Sequence, residues 1–174
     1  MAEAGCRGIF YGIETGSQTL QVTLKKRLIL SDAMTKVRAA SDRGLQTAVS
    51  LITGFPTETE ADFADTADFF TRSLRYENTV PQLHILAPLA DTPIEREFRD
   101  RLQFDDIISD MSHQGWDQDP ADRELIAAYP DVFVNFYAVP TPLDNEPAVR
   151  KASWRGHVPG AASAWNFQDR TIVR

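Results

Sequence analysis

The first 95 residues alternate short apolar runs with helix-length amphipathic stretches, and this alternation leaves few architectures open to the chain. Gly8-Ile9-Phe10-Tyr11-Gly12-Ile13 is an apolar run closed by Glu14-Thr15-Gly16-Ser17, the pattern of a buried strand ending in a polar loop. Ser17 is placed to cap a helix over 18–26. Ser31 is the expected N-cap of a helix over 32–43, with Ala33, Met34, Val37 and Ala40 on one face and Gly44 as its stop. A second strand is expected over 47–53, ended sharply by Gly54-Phe55-Pro56. Thr59 opens the next helix, where Phe63, Ala67, Phe70 and Leu74 recur at helical spacing. A third apolar run over 83–87 precedes Thr92-Pro93, which starts a helix through 102. Strand, helix, strand, helix, strand, helix, with strands apolar enough to be covered on both faces, predicts parallel strands in an α/β layer or barrel. Ligands of such folds sit at the carboxyl ends of the strands. Three polar ends should therefore share one rim: 14–17, 54–59 and 88–92.

The remainder reads differently. Nine of the ten prolines lie at or after position 81, and Trp116, Trp154 and Trp165 all fall in the second half. A short helix is expected over 121–129 and an aromatic strand or extended segment over 132–139. The expected organisation is an α/β unit over 1–104, a Pro-rich, partly irregular C-terminal extension over 105–147, and a basic, flexible tail over 148–174 carrying Arg150, Lys151, Arg155, Arg170 and Arg174.

Composition removes several function classes. With 18 basic and 25 acidic residues the net charge is −7, which argues against general nucleic-acid binding. No apolar run approaches the roughly 20 residues of a membrane span, and Met1-Ala-Glu-Ala-Gly5 does not resemble a signal peptide. The one cysteine, Cys6, makes no internal disulfide and fits a reducing, cytoplasmic setting; a small buried residue is its expected role. One thiol does not hold zinc or an iron–sulfur cluster, which need several thiolates or imidazoles. His84, His113 and His157 are scattered, without an HxxxH spacing, so no metal ligands are assigned. Asp105-Asp106 and the acidic stretch over 117–122 read as solvated loop charge, and no nucleophile pattern is present.

The stretch Ala4-Gly5-Cys6-Arg7-Gly8-Ile9-Phe10-Tyr11-Gly12-Ile13-Glu14-Thr15-Gly16-Ser17-Gln18 resembles the fourth-strand signature of radical S-adenosylmethionine enzymes. Leu51-Ile52-Thr53-Gly54-Phe55-Pro56-Thr57-Glu58-Thr59 is similar to their fifth-strand signature, and Leu86-Ala87-Pro88-Leu89-Ala90-Asp91-Thr92-Pro93 to the sixth strand and its turn. Two linked motifs in order and at matching spacing are more specific than a lone glycine pattern. The resemblance covers residues 1 to about 100 and points to the subgroup often fused to a cobalamin-binding domain. It implies the C-terminal half of a partial (β/α)6 TIM-like barrel. The family's CxxxCxxC after the first strand and its Gly-Gly-Glu-type motif do not occur in this chain. The chain thus resembles a fragment, expected to act with a missing N-terminal half that brings the [4Fe-4S] cluster. The chemistry implied is reductive cleavage of S-adenosylmethionine to a deoxyadenosyl radical, with cobalamin left open for a full-length protein.

For the site, the resemblance implies Glu14 as acceptor for ribose hydroxyls, Thr15 and Ser17 as polar neighbours, Ile52 packed on adenine beside Gly54, and Leu86 from the sixth strand. A bidentate carboxylate suits vicinal hydroxyls, and Gly16 is expected to let backbone approach the ligand. Ser50 stands where the family has a glycine, and Thr57 where it has a glutamate, with Glu58 one residue later. Lys25, Lys26 and Arg27 read either as a contact to the methionine carboxylate or as a solvated helix face. The competing reading is a non-catalytic interaction module, a degenerate half-barrel that pairs through its open strand edge; a third is an unrelated small α/β enzyme. An unpaired edge also predicts self-association or low stability in isolation.

Overall fold

The computed structural model describes residues 1–104 and 119–141. The basic tail over 148–174, the acids Asp105, Asp106 and Asp117, His113, His157 and the three tryptophans lie outside the described residues. The described chain is a mixed α/β structure built on a three-stranded parallel sheet in the order β1-β2-β3, with β1 Gly8–Glu14, β2 Gln46–Thr53 and β3 Thr79–Ile85. Helices α1 Gln18–Thr23, α2 Leu30–Ser41, α3 Glu60–Ser73, α4 Pro93–Phe98 and α5 Pro120–Ala128 follow in chain order. Among these residues no helix is long and apolar enough to cross a membrane.

Strand β2 is central because its sequence suits burial on both sides: Thr47 through Leu51 and Thr53 are buried. It pairs in parallel with β1, Tyr11 opposite Val49, and with β3, Leu51 opposite Leu83 and Ile52 opposite His84. Alternation sends Tyr11, Val49, Leu51 and Leu83 to the helix side, where with Ile13 they meet Ala33, Met34 and Val37 of α2 and Phe69 of α3. Val37, Val49 and Leu51 are completely buried, and each such side chain contributes about 1.5–3 kcal/mol relative to exposure. The opposite face carries Phe10, Gly12, Ser50, Ile52, Gln82 and His84. Coverage of both faces, expected from the apolar strands, fails at Phe10, which is 65% exposed on the edge strand β1.

Several boundaries differ from the sequence reading. Helix α1 stops at Thr23 rather than at 26, because Lys25 takes φ 56° and the amides of Lys25 and Lys26 turn back to Val22 and Gln21 carbonyls, a Schellman closure without glycine. Helix α2 begins two residues early, after Ile29 and with no side-chain cap, so Ser31 lies inside it; Gly44 follows its end as expected, Leu45 N–H reaching Ala40 O at 3.1 Å. Strand β3 starts at Thr79, where the Thr79 and Thr47 hydroxyls meet at 2.6 Å. Residues 132–139 do not form a strand: they contain a 3-10 turn, Val134–Phe136, and a single antiparallel bridge from Ala138 to Gln103. Cys6 is only partly buried, its thiol 3.4 Å from Gly8 O.

Helix α3 faces the sheet differently than its phenylalanine spacing suggests. Its Thr59–Asp62 capping box is formed, yet the buried positions are Thr66, Phe69 and Ser73, while Leu74 is 52% exposed. Thr66 and Ser73 donate to the carbonyls of Asp62 and Phe69 at 2.9 and 2.8 Å, so their hydroxyls are satisfied within the helix and enter the core as small groups. The reason for this rotation is contact with the loop after β1. A Cβ on Gly16 would lie 2.5 Å from Asp65 O, 2.7 Å from Thr66 Cα and 2.8 Å from Phe69 Cβ. The close approach for which Gly16 is needed is thus to α3. Gly16→Ala should destabilise the chain by about 1–3 kcal/mol through forced separation of loop and helix, measured by urea denaturation; an unchanged midpoint would show that the contact is loose.

Candidate functional site

The carboxyl ends of the three strands form one rim. At the end of β1 the register shifts between Gly12 and Glu14, and Glu14 adopts φ 69°. The bulge swings its carboxylate back over Gly12: a Cβ there would sit 2.8 Å from Glu14 Oε1 and 3.4 Å from Lys26 Nζ. Glu14 and Lys26 are ion-paired above this bare stretch of strand, with about a quarter and a third of their side chains exposed. Lys25 and Arg27, both at positive φ, flank Lys26 and point into solvent. Of the three basic residues the sequence offered, the structure brings only Lys26 to the rim, and from a loop rather than a helix face. A partly exposed pair of this kind is worth about 0–1 kcal/mol, so hydroxyl donors of a ligand can compete for the carboxylate.

On β2, Ile52 shares this face, being next to the core residue Leu51, and is half-buried. Gly54 follows at φ 88°, a conformation open to glycine, and the space where its Cβ would be is bounded by Ile85 Cγ2 at 3.5 Å and by Leu86 Cβ at 3.9 Å. Leu86 is tied down by its amide, which donates to Thr53 O at 2.8 Å. Glu14, Ile52, Gly54 and Leu86 therefore lie at the carboxyl end of the sheet face opposite the helices.

Thr15 and Ser17 are arranged otherwise. Both side chains are fully buried and bonded within the protein. Ser17 Oγ caps α1 through Leu20 N–H at 3.2 Å and donates to Asp62 Oδ1 at 2.5 Å. Thr15 Oγ1 accepts from Ser17 N–H and meets Thr66 Oγ1, both at 3.1 Å. Gln21, also buried, donates to the Ile13 and Thr15 carbonyls at 2.6 and 2.9 Å. Sequence reasoning passed over Gln21 and Thr66, since a polar residue on an amphipathic helix carries no mark of burial.

Glu58 is the second carboxylate of the rim and, unlike Glu14, is buried, 1% exposed. Its Oε2 accepts from Thr53 Oγ1 at 2.8 Å and from the Gly54 amide at 2.6 Å, while Oε1 is buried without a hydrogen-bond partner. The glutamate displaced by one position in the sequence thus folds under the Gly54 loop and fixes it. Burial pushes the Glu58 carboxyl above the ordinary glutamate value; hydrogen bonds from Gly54 and Thr53 and the nearby Phe55 backbone pull it back, and the Asp62 charge adds to the rise. At Asp62 burial also acts upward, but the bonds from Ser17 and Thr59 outweigh it and hold that carboxyl below its usual range.

Among the described residues no group of three or more His, Cys, Asp and Glu side chains is placed to hold a metal ion. A four-iron cluster takes several thiolates, and the chain has one cysteine, so its residues do not fit that group. The rim brings together a carboxylate over bare backbone, an apolar side chain beside a glycine, and a second apolar side chain from the segment after β3.

The chain is 39% identical over 61 residues to a protein named "Putative methylthiotransferase" from Methanocaldococcus jannaschii. That match covers 35% of this chain and 14% of the relative, so the shared stretch spans about one seventh of the relative's length. No family model matches the sequence.

The raised Glu58 carboxyl has a consequence for stability. A proton is held more tightly in the folded state, so stability declines as pH rises from the ordinary value of 4.5 through the folded-state value. Glu58→Gln keeps the shape and the acceptor oxygen, and should flatten this decline in denaturation measurements across that window. An identical slope in the variant would assign it to other groups.

Proposed function

We propose that this chain contributes the ribose and adenine side of the S-adenosylmethionine pocket in an enzyme of the radical S-adenosylmethionine superfamily, and that its three parallel strands are the C-terminal half of a partial (β/α)6 barrel. The observation that carries this reading is the Glu14 carboxylate folded over Gly12 at the carboxyl end of β1, on the same face as Ile52, Gly54 and Leu86. The local similarity to a protein named as a methylthiotransferase supports it, because methylthiotransfer belongs to that superfamily.

In this reading Glu14 accepts hydrogen bonds from both ribose hydroxyls, Ile52 and Leu86 pack against the adenine, and Gly54 leaves its face clear. Thr15 and Ser17 act from beneath, holding the loop that carries Glu14. S-adenosylmethionine supplies the radical-forming adenosyl group when bound; the chain's own part is to orient the nucleoside and keep water from it. The cluster ligands come from another segment, in the same longer protein or in a partner, and that segment pairs with the edge of β1 that no described strand occupies. Cobalamin belongs to such a larger assembly if it takes part at all. The exposed Phe10 on this edge favours the second reading, an interaction module that self-associates through β1.

NMR titration of the chain with S-adenosylhomocysteine tests the pocket. Shifts should concentrate at the amides of Glu14, Ile52, Gly54 and Leu86, and Glu14→Gln should weaken binding by about tenfold, the worth of a charge-assisted hydrogen bond. No binding, or shifts elsewhere, would reject the nucleoside role. Anaerobic reconstitution of the chain alone with iron and sulfide should yield no stoichiometric four-iron chromophore by absorption; its appearance would overturn the assignment of the cluster to another segment.

A further inference from the structure

The loop carrying Glu14 and the loop carrying Gly54 are both fastened to the N-terminal half of one helix, α3. The hydroxyl of Thr66, completely buried, sits at the junction. It donates to Asp62 O at 2.9 Å, which uses its only proton. The Thr15 hydroxyl, 3.1 Å away, must then be the donor to Thr66, and the Gly16 amide donates to the same oxygen at 3.1 Å. Thr15 in turn accepts from the Ser17 amide at 3.1 Å. Every donor and acceptor in this chain has one assignment, and both lone pairs of Thr66 are committed to the β1–α1 loop. One turn earlier, Asp62 receives the Ser17 hydroxyl at 2.5 Å on Oδ1, while its Oδ2 receives the Thr59 hydroxyl and amide at 2.7 and 3.0 Å. Immediately before that cap, Glu58 holds the Gly54 amide. Helix α3 therefore ties both rim loops to one frame from beneath, in addition to the strand pairing of Glu14 with Leu51.

We propose that Thr66 and Asp62 are positioning residues for nucleoside recognition, fixing the Glu14 carboxylate relative to the Gly54 loop so that it meets both ribose hydroxyls at once; this role rests on the nucleoside reading of the rim. Bidentate recognition tolerates displacements of about half an ångström before one of its two bonds is lost. Thr66→Val keeps the volume but removes the acceptor, leaving the Thr15 hydroxyl and Gly16 amide buried without a partner, so the loop must move to satisfy them. Thr66→Ser keeps the oxygen.

The test is the ratio of affinities for adenosine and 2′,3′-dideoxyadenosine, measured by NMR titration of the full 174-residue chain. Loss of both hydroxyl bonds should make the wild-type chain bind the dideoxy ligand about a hundredfold more weakly. Thr66→Val should bring the ratio near one while leaving dideoxyadenosine affinity unchanged, and Thr66→Ser should restore it. A merely structural role would lower both affinities together and leave the ratio intact. Should Thr66→Val fail to fold by circular dichroism, Asp62→Asn and Ser17→Ala carry the same expectation. A wild-type chain that does not discriminate the two ligands overturns the ribose reading and this inference with it. Wild-type discrimination that persists in the folded variants overturns the positioning role alone.

Discussion

The packing of helix α3 against the loop after β1 is the constraint on which the rim depends. Gly16 lies so close to Asp65, Thr66 and Phe69 that no larger residue fits, and this closeness lets the Thr66 hydroxyl receive two donors from the loop. A buried donor left unpaired costs about 1–3 kcal/mol, a large share of the 5–15 kcal/mol that holds a typical domain together. The loop is thereby confined to one geometry, and with it the backbone that leads into the bulge at Glu14.

Polar burial and apolar burial divide the labour between the rim and the core. The helix side is a conventional core in which Val37, Val49, Leu51 and Phe69 exclude water. At the rim, by contrast, the buried groups are Thr15, Ser17, Thr66 and Glu58, which hold backbone by directed bonds. Hydrophobic contact is non-directional and sets overall compactness; hydrogen bonds set position. The face opposite the helices carries small or bare positions at Gly12, Ser50 and Gly54, with such bonds holding the loops at its carboxyl end.

The sheet was largely legible in the sequence, because β1 and β2 are short apolar runs bounded by glycine and polar loops. The helix ends were less so. Lys25 closes α1 in a conformation usually given to glycine, and α2 starts without its serine cap, since tertiary contacts outweigh local preferences of about 1 kcal/mol. The aromatic segment over 132–139 has strand-like residues, but among the described residues it makes one bridge, to Gln103, and contains a 3-10 turn. Within the candidate site, Glu14, Ile52, Gly54 and Leu86 could be named beforehand from their place at strand ends.

What the linear pattern determined by itself is the order of elements, the parallel sheet and the residues at its carboxyl rim, because hydrophobic period and turn chemistry are local properties. Only the tertiary structure decided which way α3 faces, that Thr15 and Ser17 are buried beneath the rim, that Lys26 pairs with Glu14, and that Glu58 folds under Gly54. Those outcomes join residues 12 to 51 positions apart, or depend on a backbone bend that one residue alone does not encode. The physical reason is that a hydroxyl or carboxylate looks the same in sequence whether water or a distant backbone amide satisfies it, and the packing of helix on sheet makes that choice.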